Sequence, residues 1–271
     1  MNAAVVGHVE WIDFVRTARV PRPGEIVTAR ETWAQPAGGG SVAAIQLAVL
    51  AGGAVFFTAL GRDETGRRAH EELTALGLRV EAAWRDRPTR RGLTYLDDAG
   101  ERTITLLTEK LHPHGDDPLP WELLEETDCV YFCAGDVGAL RAARRARALV
   151  ATARELPTLA ASGVRLDALV RSGADVAERY AAGELEPPPR LDVVTGGATG
   201  GRFTAAEGRT GTWQAAPLPA PRVDAYGAGD CFAAGLAYAL GRRDAPEEAL
   251  AFAARCGARA LTGAGAYAAR P

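Results

Sequence analysis

The chain predicts an α/β fold in three layers, with a mainly parallel central sheet between helices and a small β-sheet set apart as a lid. Three observations carry this. Short apolar runs alternate with longer helical patterns along most of the 271 residues, which is the rhythm of βαβ units. Two segments between those units are instead rich in β-branched and aromatic residues, and one of them carries a turn signal at its centre. Hydrophobic residues make up 47% of the chain, enough to bury a sizeable core.

In order, residues 2–9 (NAAVVGHV) read as a strand, 40–53 as a helix stopped by glycine, 54–61 (AVFFTALG) as a strand and 64–77 as a capped helix ending at Gly77. The alternation then repeats. Residues 129–135 (CVYFCAG) read as a strand, 137–156 as a helix, and 157–162 (PTLAAS) and 191–197 (LDVVTGG) as strands, with helices after Asp230 and after Pro246. Residues 22–36 and 90–107 break the rhythm, the second with DDAG between two alternating runs, a hairpin signal. These segments predict lid strands within about 16–36 and 88–108, over one edge of a single domain spanning 1–271.

Composition excludes several classes. A net charge of −3 with arginines spread along the chain argues against nucleic acid as a partner. No window reaches the roughly 18 apolar residues of a membrane span, and the start of the chain has no signal-peptide pattern, so a cytoplasmic protein without membrane contact is expected. The four cysteines fit no paired framework, and Cys129 and Cys133 fall in an apolar strand pattern. Reduced thiols and no zinc are the expectation.

The chemistry is carried by glycine-rich stretches. In VDAYGAGDCFAAGLAYALG, Gly227, Ala228 and Gly229 stand immediately before Asp230 and an alanine-rich helix. Ligands of open parallel sheets sit beyond the carboxyl ends of strands, where loops meet helix N-termini. Unshielded N–H groups and the positive end of the helix dipole form an anion hole there. Asp230 at its mouth is placed to take a proton from a hydroxyl that attacks a bound phosphoryl group. A capping aspartate behind turning glycines fits the same residues. A second cluster, residues 193–203 (VVTGGATGGRF), could lie over a nucleotide or form a plain hairpin. A third, Gly38, Gly39 and Gly40, opens a helix and would let a ligand approach the backbone. Its loose G-x-G-x-x-A match lacks the preceding core strand and the acidic partner of a dinucleotide site, and neither a P-loop nor a G-x-S-x-G elbow occurs.

In order and separation these stretches resemble the ribokinase-like, or pfkB, family of carbohydrate kinases. DAYGAGDCF is similar to that family's carboxyl-terminal signature, LGRDETGRRAHEELTALG to its G-x-D-x-x-G segment, YLDDAGERTI to its lid hairpin and VVTGGATGG to its nucleotide loop. The resemblance covers nearly the whole chain. It implies a ribokinase-like fold and transfer of the γ-phosphoryl group of ATP, with Mg2+, to a hydroxyl of a sugar or sugar-like alcohol. Asp230 would be the base, with Gly227, Ala228 and Gly229 as the anion hole. Asp13, Gly38 and Gly39 would hold the sugar. Arg102 could reach in from the lid or pair with Glu101 or Asp98. Thr195, Gly197 and Gly200 would face the nucleotide, joined by Cys256 and Gly265 on position alone. Asp224 would anchor the loop. A homodimer joined through the lids is implied as well.

The chain also departs from the family. Val42 or Ala43 stands where a sugar-contacting asparagine is common, Ala225 and Tyr226 replace a threonine-containing pair, and the N-x-x-E segment has no clear counterpart, leaving Glu178 as the nearest candidate. The only lysine, Lys110, lies outside the glycine-rich loops. His8, at the end of the first strand, could border the substrate pocket. These departures keep two alternatives open: a nucleoside kinase of the same fold, with Trp11, Phe14 and Trp33 as base-binding walls, and a non-catalytic ligand-binding protein.

Overall fold

The computed structural model describes residues 1–267. Strand β1 (Ala3–Val6) is wholly buried and runs on into β2 (Glu10–Arg16), which belongs to a second sheet. β3 (Glu31–Ala37) pairs antiparallel with β2 and leads directly into α1 (Gly38–Ala51). β4 (Ala54–Gly61), α2 (Glu64–Ala75) and β5 (Leu78–Arg85) follow, with Asp63 capping α2 by accepting the Gly66 N–H at 2.7 Å. The hairpin of β6 (Arg91–Leu96) and β7 (Arg102–Leu106) completes the second sheet. The chain then returns to the first through β8 (Cys129–Phe132), α3 (Val137–Ala143), β9 (Ala148–Thr152), α4 (Leu156–Ser162) and β10 (Ala168–Ser172). β11 (Leu191–Thr195), β12 (Gly201–Ala205), β13 (Thr210–Trp213), α5 (Ala228–Gly241) and α6 (Pro246–Ala260) close the sequence.

Among the described residues the central sheet runs β13-β12-β11-β10-β9-β8-β1-β4-β5, parallel from β11 to β5. From β1 the chain winds one way through β4 and β5, then the other way through β8 to β11. The order therefore reverses beside β1 and opens a crevice at the carboxyl ends of β1 and β8. Alternation along each strand sends Val5, Phe56 and Tyr131 toward Leu47 of α1, Leu236 of α5 and Leu250 of α6. Their neighbours Val6, Phe57 and Val130 pack on the other face against Leu140 of α3 and Leu159 of α4. The expected three layers result.

Several elements differ from the reading of the sequence. The expected helix over 137–156 is α3, a turn and then β9, and the expected strand over 157–162 is α4. Ala148–Thr152 is buried on both faces between β8 and β10, so it lacks the alternation that marks a half-exposed strand and reads as part of a helix. Pro157 is tolerated because it lies in the first turn of α4, and Gly163 ends that helix in the left-handed region. The last helix of the glycine-rich stretch begins at Ala228, so Asp230 lies inside its first turn. β5, β10 and β13 are strands beyond those the sequence predicts, and β12 pairs antiparallel with β11, the hairpin that residues 193–203 allow.

The lid sheet is ordered β3-β2-β6-β7. It begins earlier than expected, at Glu10, while residues 17–30 form no strand and leave Ile26 fully exposed. Alternation divides β2 cleanly. Ile12 and Phe14 face inward onto Val42, Tyr226 and Cys231, with Leu96 of β6 beside them. Asp13 and Val15 are half-buried on the opposite, outer face. No helix among the described residues is long and apolar enough to cross a membrane, and Cys129, Cys133, Cys231 and Cys256 are buried free thiols.

Candidate active site

The site is built where α1 and α5 begin. Gly227 precedes α5 in a left-handed conformation (φ +72°), and a Cβ there would stand 2.7 Å from Val42, so glycine is required on both counts. The first bond within the helix is from the Cys231 N–H to the Gly227 carbonyl at 2.9 Å. No side chain caps the helix. The N–H groups of Ala228, Gly229 and Asp230 thus have no intrahelical acceptor and point, with the dipole, out of the N-terminus. Asp230 sits in the first turn beyond the cap position, which removes the capping explanation for it. Its Oδ1 accepts the Tyr131 hydroxyl at 3.4 Å. Burial pushes its carboxyl pKa up, while the charges of His8, Arg102 and Arg154 pull the other way. A carboxylate held this way is a stronger proton acceptor than a solvated one.

The start of α1 closes on this loop. A Cβ on Gly39 would meet Asp230 Oδ1 at 2.6 Å, one on Gly38 would meet Glu10, and one on Gly40 the His8 backbone. The Gly38 N–H donates to the Tyr226 hydroxyl at 3.0 Å, so the tyrosine two residues after Asp224 ties the two helix starts together. Asp224 is fully buried and anchors the loop, accepting the N–H groups of Tyr226 and Gly265 at 2.8 Å each. Arg102 reaches across from β7 and donates to the Ala225 carbonyl at 2.7 Å. Glu101 and Asp98 have other partners, Arg222 and Arg30.

On the side of β1, the carboxylate brought to the site is Glu10. It is buried, 3.4 Å from His8 Nε2 and 3.0 Å from Arg90 Nε. Burial alone would raise its pKa, but the hydrogen bond to His8 and the charges of His8, Arg90 and Lys110 outweigh this and lower it. Asp13 is elsewhere: it faces outward and pairs with Arg91 at 3.0 Å. One position along a strand reverses the face, and Glu10, Ile12 and Phe14 share the inner one.

At the other side of the crevice, Thr195 ends β11, with the loop of Gly197 and Gly200 after it. Gly197 is exposed at φ +60°, whereas Gly200 is buried against the Trp213 carbonyl. β11 lies three strands from β8, roughly 14 Å across the sheet. Cys256 does not face this loop; its sulfur packs on Gly235 between α6 and α5, and burial pushes its thiol up to about 11. Gly265 is held by Asp224 beside Gln35 of the lid base.

Charged groups paired across the chain fill the interval. Glu178, the nearest candidate for the N-x-x-E glutamate, is buried, accepts the Ser172 N–H at 2.6 Å and pairs with Arg154 Nε at 2.8 Å. Lys110 pairs with the buried Glu155. Their contacts are long-range, so no local spacing signalled them. A cavity of about 570 Å3 at the opposite end of the strands, lined by Arg147, Arg190, Arg209 and Arg243, includes none of these groups.

The model of the family described as pfkB family carbohydrate kinase matches residues 2–164 and 140–271. The chain belongs to this family. No curated protein matches the pfkB chain significantly in sequence. Among solved structures, a ribokinase from Thermotoga maritima superposes with a TM-score of 0.77 at 21% identity, over 100% of this pfkB chain and 96% of its own. An Arabidopsis thaliana ribokinase solved with ribose and ATP gives 0.76 at 20% identity, over 100% and 95%. A microbiome-derived acarbose kinase gives 0.78 at 21% identity, over 97% and 93%. The fold is therefore ribokinase-like, and the chain is a sugar kinase of the pfkB family.

Proposed function

We propose that this kinase transfers the γ-phosphoryl group of ATP to a hydroxyl of a sugar or sugar-like alcohol, with Asp230 as the base. The observation that carries this is the uncapped first turn of α5, with Asp230 inside it and the N–H groups of Ala228 and Gly229 free. The acceptor hydroxyl gives its proton to the Asp230 carboxylate as its oxygen attacks phosphorus, and the phosphorus–oxygen bond to ADP breaks. The N–H groups at the helix start stabilise the charge on the transferred group. ATP as donor is supported by the ATP complex of the Arabidopsis neighbour and by a Cryptococcus neoformans ribokinase solved with ADP. The nucleotide would lie along the Thr195–Gly200 loop.

The acceptor would sit under the lid, between Gly38, Gly39 and the inner face of β2. Glu10 is the carboxylate available there, and the buried His8 Nδ1 has no protein partner among the described residues. Both suit a hydroxylated ligand. Magnesium would travel with the nucleotide. Among the described residues no group of three or more His, Cys, Asp or Glu is arranged to hold a metal, which fits an ion carried mainly by phosphate oxygens and water, with Asp175 and Glu178 at the end of β10 as the carboxylates nearby. When bound it would neutralise phosphate charge.

A cytoplasmic homodimer joined through the lids completes the reading. Exposed Ile26 and Val27, with the open edges of β3 and β7, support it. Light scattering at micromolar protein should give twice the chain mass; a monomer refutes the dimer. The activity itself is tested by ADP release from Mg-ATP across pentoses, hexoses, sugar acids, polyols and nucleosides, with Asp230→Asn alongside. One acceptor that stimulates turnover only in the wild type is the expected result. No stimulation above the Asp230→Asn background would favour a non-catalytic binding protein.

A further inference from the structure

We propose that Arg154 is the cation that contacts the transferred phosphoryl group, occupying the part that a lysine in a glycine-rich loop would otherwise play. The inference rests on the kinase reading. Arg154 follows the end of β9, in a short turn whose first residue, Thr152, accepts the Arg154 N–H through its side chain at 3.3 Å. β9 stands between β8, beside which Asp230 lies, and β10 and β11, which lead to the nucleotide loop. A phosphate chain running from that loop toward Asp230 must pass the carboxyl end of β9.

The guanidinium is oriented by two carboxylates from the loop after β10. Asp175 bonds Nη2, and Glu178 stands 2.8 Å from Nε. Both tethers lie on the side-on edge of the guanidinium. Glu178 is itself fixed by the Ser172 N–H, and only 10% of its side chain is exposed. Of the five N–H donors of an arginine, the two on Nη1 and the second on Nη2 remain, and one from each nitrogen forms the end-on edge. The Arg154 side chain as a whole is 56% exposed, so a ligand can reach it. An end-on guanidinium is matched to two oxygens of a phosphoryl group. Arg154 also acts electrostatically on Asp230, which places the two groups around the same space.

The two carboxylates more than cancel the charge of Arg154 at a distance. Its effect is therefore one of directed, short-range hydrogen bonds, and it should read the terminal phosphate rather than attract nucleotides in general. This separates a phosphoryl contact from a clamp that merely joins two loops. The test is calorimetric binding of Mg-ADP and of a non-hydrolysable Mg-ATP analogue to wild type, Arg154→Met and Arg154→Lys. Arg154→Met is expected to weaken the ATP analogue about tenfold more than ADP, and Arg154→Lys to recover part of that difference. Equal weakening of both nucleotides, or no change in either, overturns the role of Arg154 while leaving the kinase reading in place. Failure of the wild type to bind either nucleotide overturns both.

Discussion

A methyl group on Gly39 would stand 2.6 Å from Oδ1 of Asp230. The first turns of α1 and α5 thus meet with no room for a side chain between them, and the carboxylate proposed as the base is positioned by a glycine 191 residues away in sequence. Gly39 does not adopt a left-handed conformation, so the fold tolerates alanine there but the carboxylate does not. Gly39→Ala should lower turnover by about 100-fold, from misplacement of the base. Gly52→Ala, strained at φ +80° but with nothing within 4 Å, should cost about 1 kcal/mol of stability and leave turnover intact. Steady-state rates with melting curves for both variants check this pair.

Asp230 itself should trade stability for activity. Its pKa in the fold is raised, so the neutral form is favoured, and its charge costs stability once the pH rises through the folded value. Asp230→Asn should therefore melt a few degrees higher than wild type at pH 7.5 while losing at least about 1,000-fold in turnover. In the wild type, turnover should fall on acidification through a pKa above the ordinary 3.8. A variant that melts lower, or a rate unchanged down to pH 4, contradicts this assignment.

Glu10 carries the opposite sign. Its folded pKa is lowered, so it contributes stability above the ordinary carboxylate range, and that contribution disappears as the pH falls through the folded value. Glu10→Gln should cost about 2 kcal/mol near pH 7 by leaving Arg90 without its counter-charge, and much less at acid pH. Urea midpoints at both pH values measure this. The variant should also raise KM for the acceptor more than KM for ATP.

Asp13 tests the geometry against the family pattern. Its pair with Arg91 is on the outer face, with 38% and 49% of the two side chains exposed. Asp13→Ala should change stability by less than about 1 kcal/mol and acceptor KM by no more than about twofold. A large rise in acceptor KM would place Asp13 in the pocket after all.

Gly227→Ala should be costly, because the left-handed backbone and the contact with Val42 oppose it together. A loss of about 2 kcal/mol is expected, part of which Val42→Ala added to it should return. Equal melting temperatures for Gly227→Ala and wild type would refute the packing argument.

Much of this was legible in the residues. Gly227, Ala228, Gly229 and Asp230 form one contiguous stretch, and glycines whose spacing permits close backbone approach announce themselves locally. β1, β4 and α1 follow from apolar runs and the glycines that bound them, and α2 and α6 from the period that burial of one face imposes on the sequence. The elements misread, β9 and α4, are those in which burial on both faces or a tolerated first-turn proline erases that period.

What a linear chain conveys is what is local in it: a glycine-rich turn, an aspartate beside it, and the rhythm of an α/β sheet. Which carboxylate on β2 faces inward was decided by folding, because the face of a strand reverses at every residue and only the packing of Ile12 and Phe14 on Tyr226 sets which face is inward. The same holds for Arg154 with Asp175 and Glu178, for Lys110 with Glu155, and for Arg102 on the Ala225 carbonyl. Long charged side chains find partners across space rather than along the chain, and burial then makes those partners obligatory.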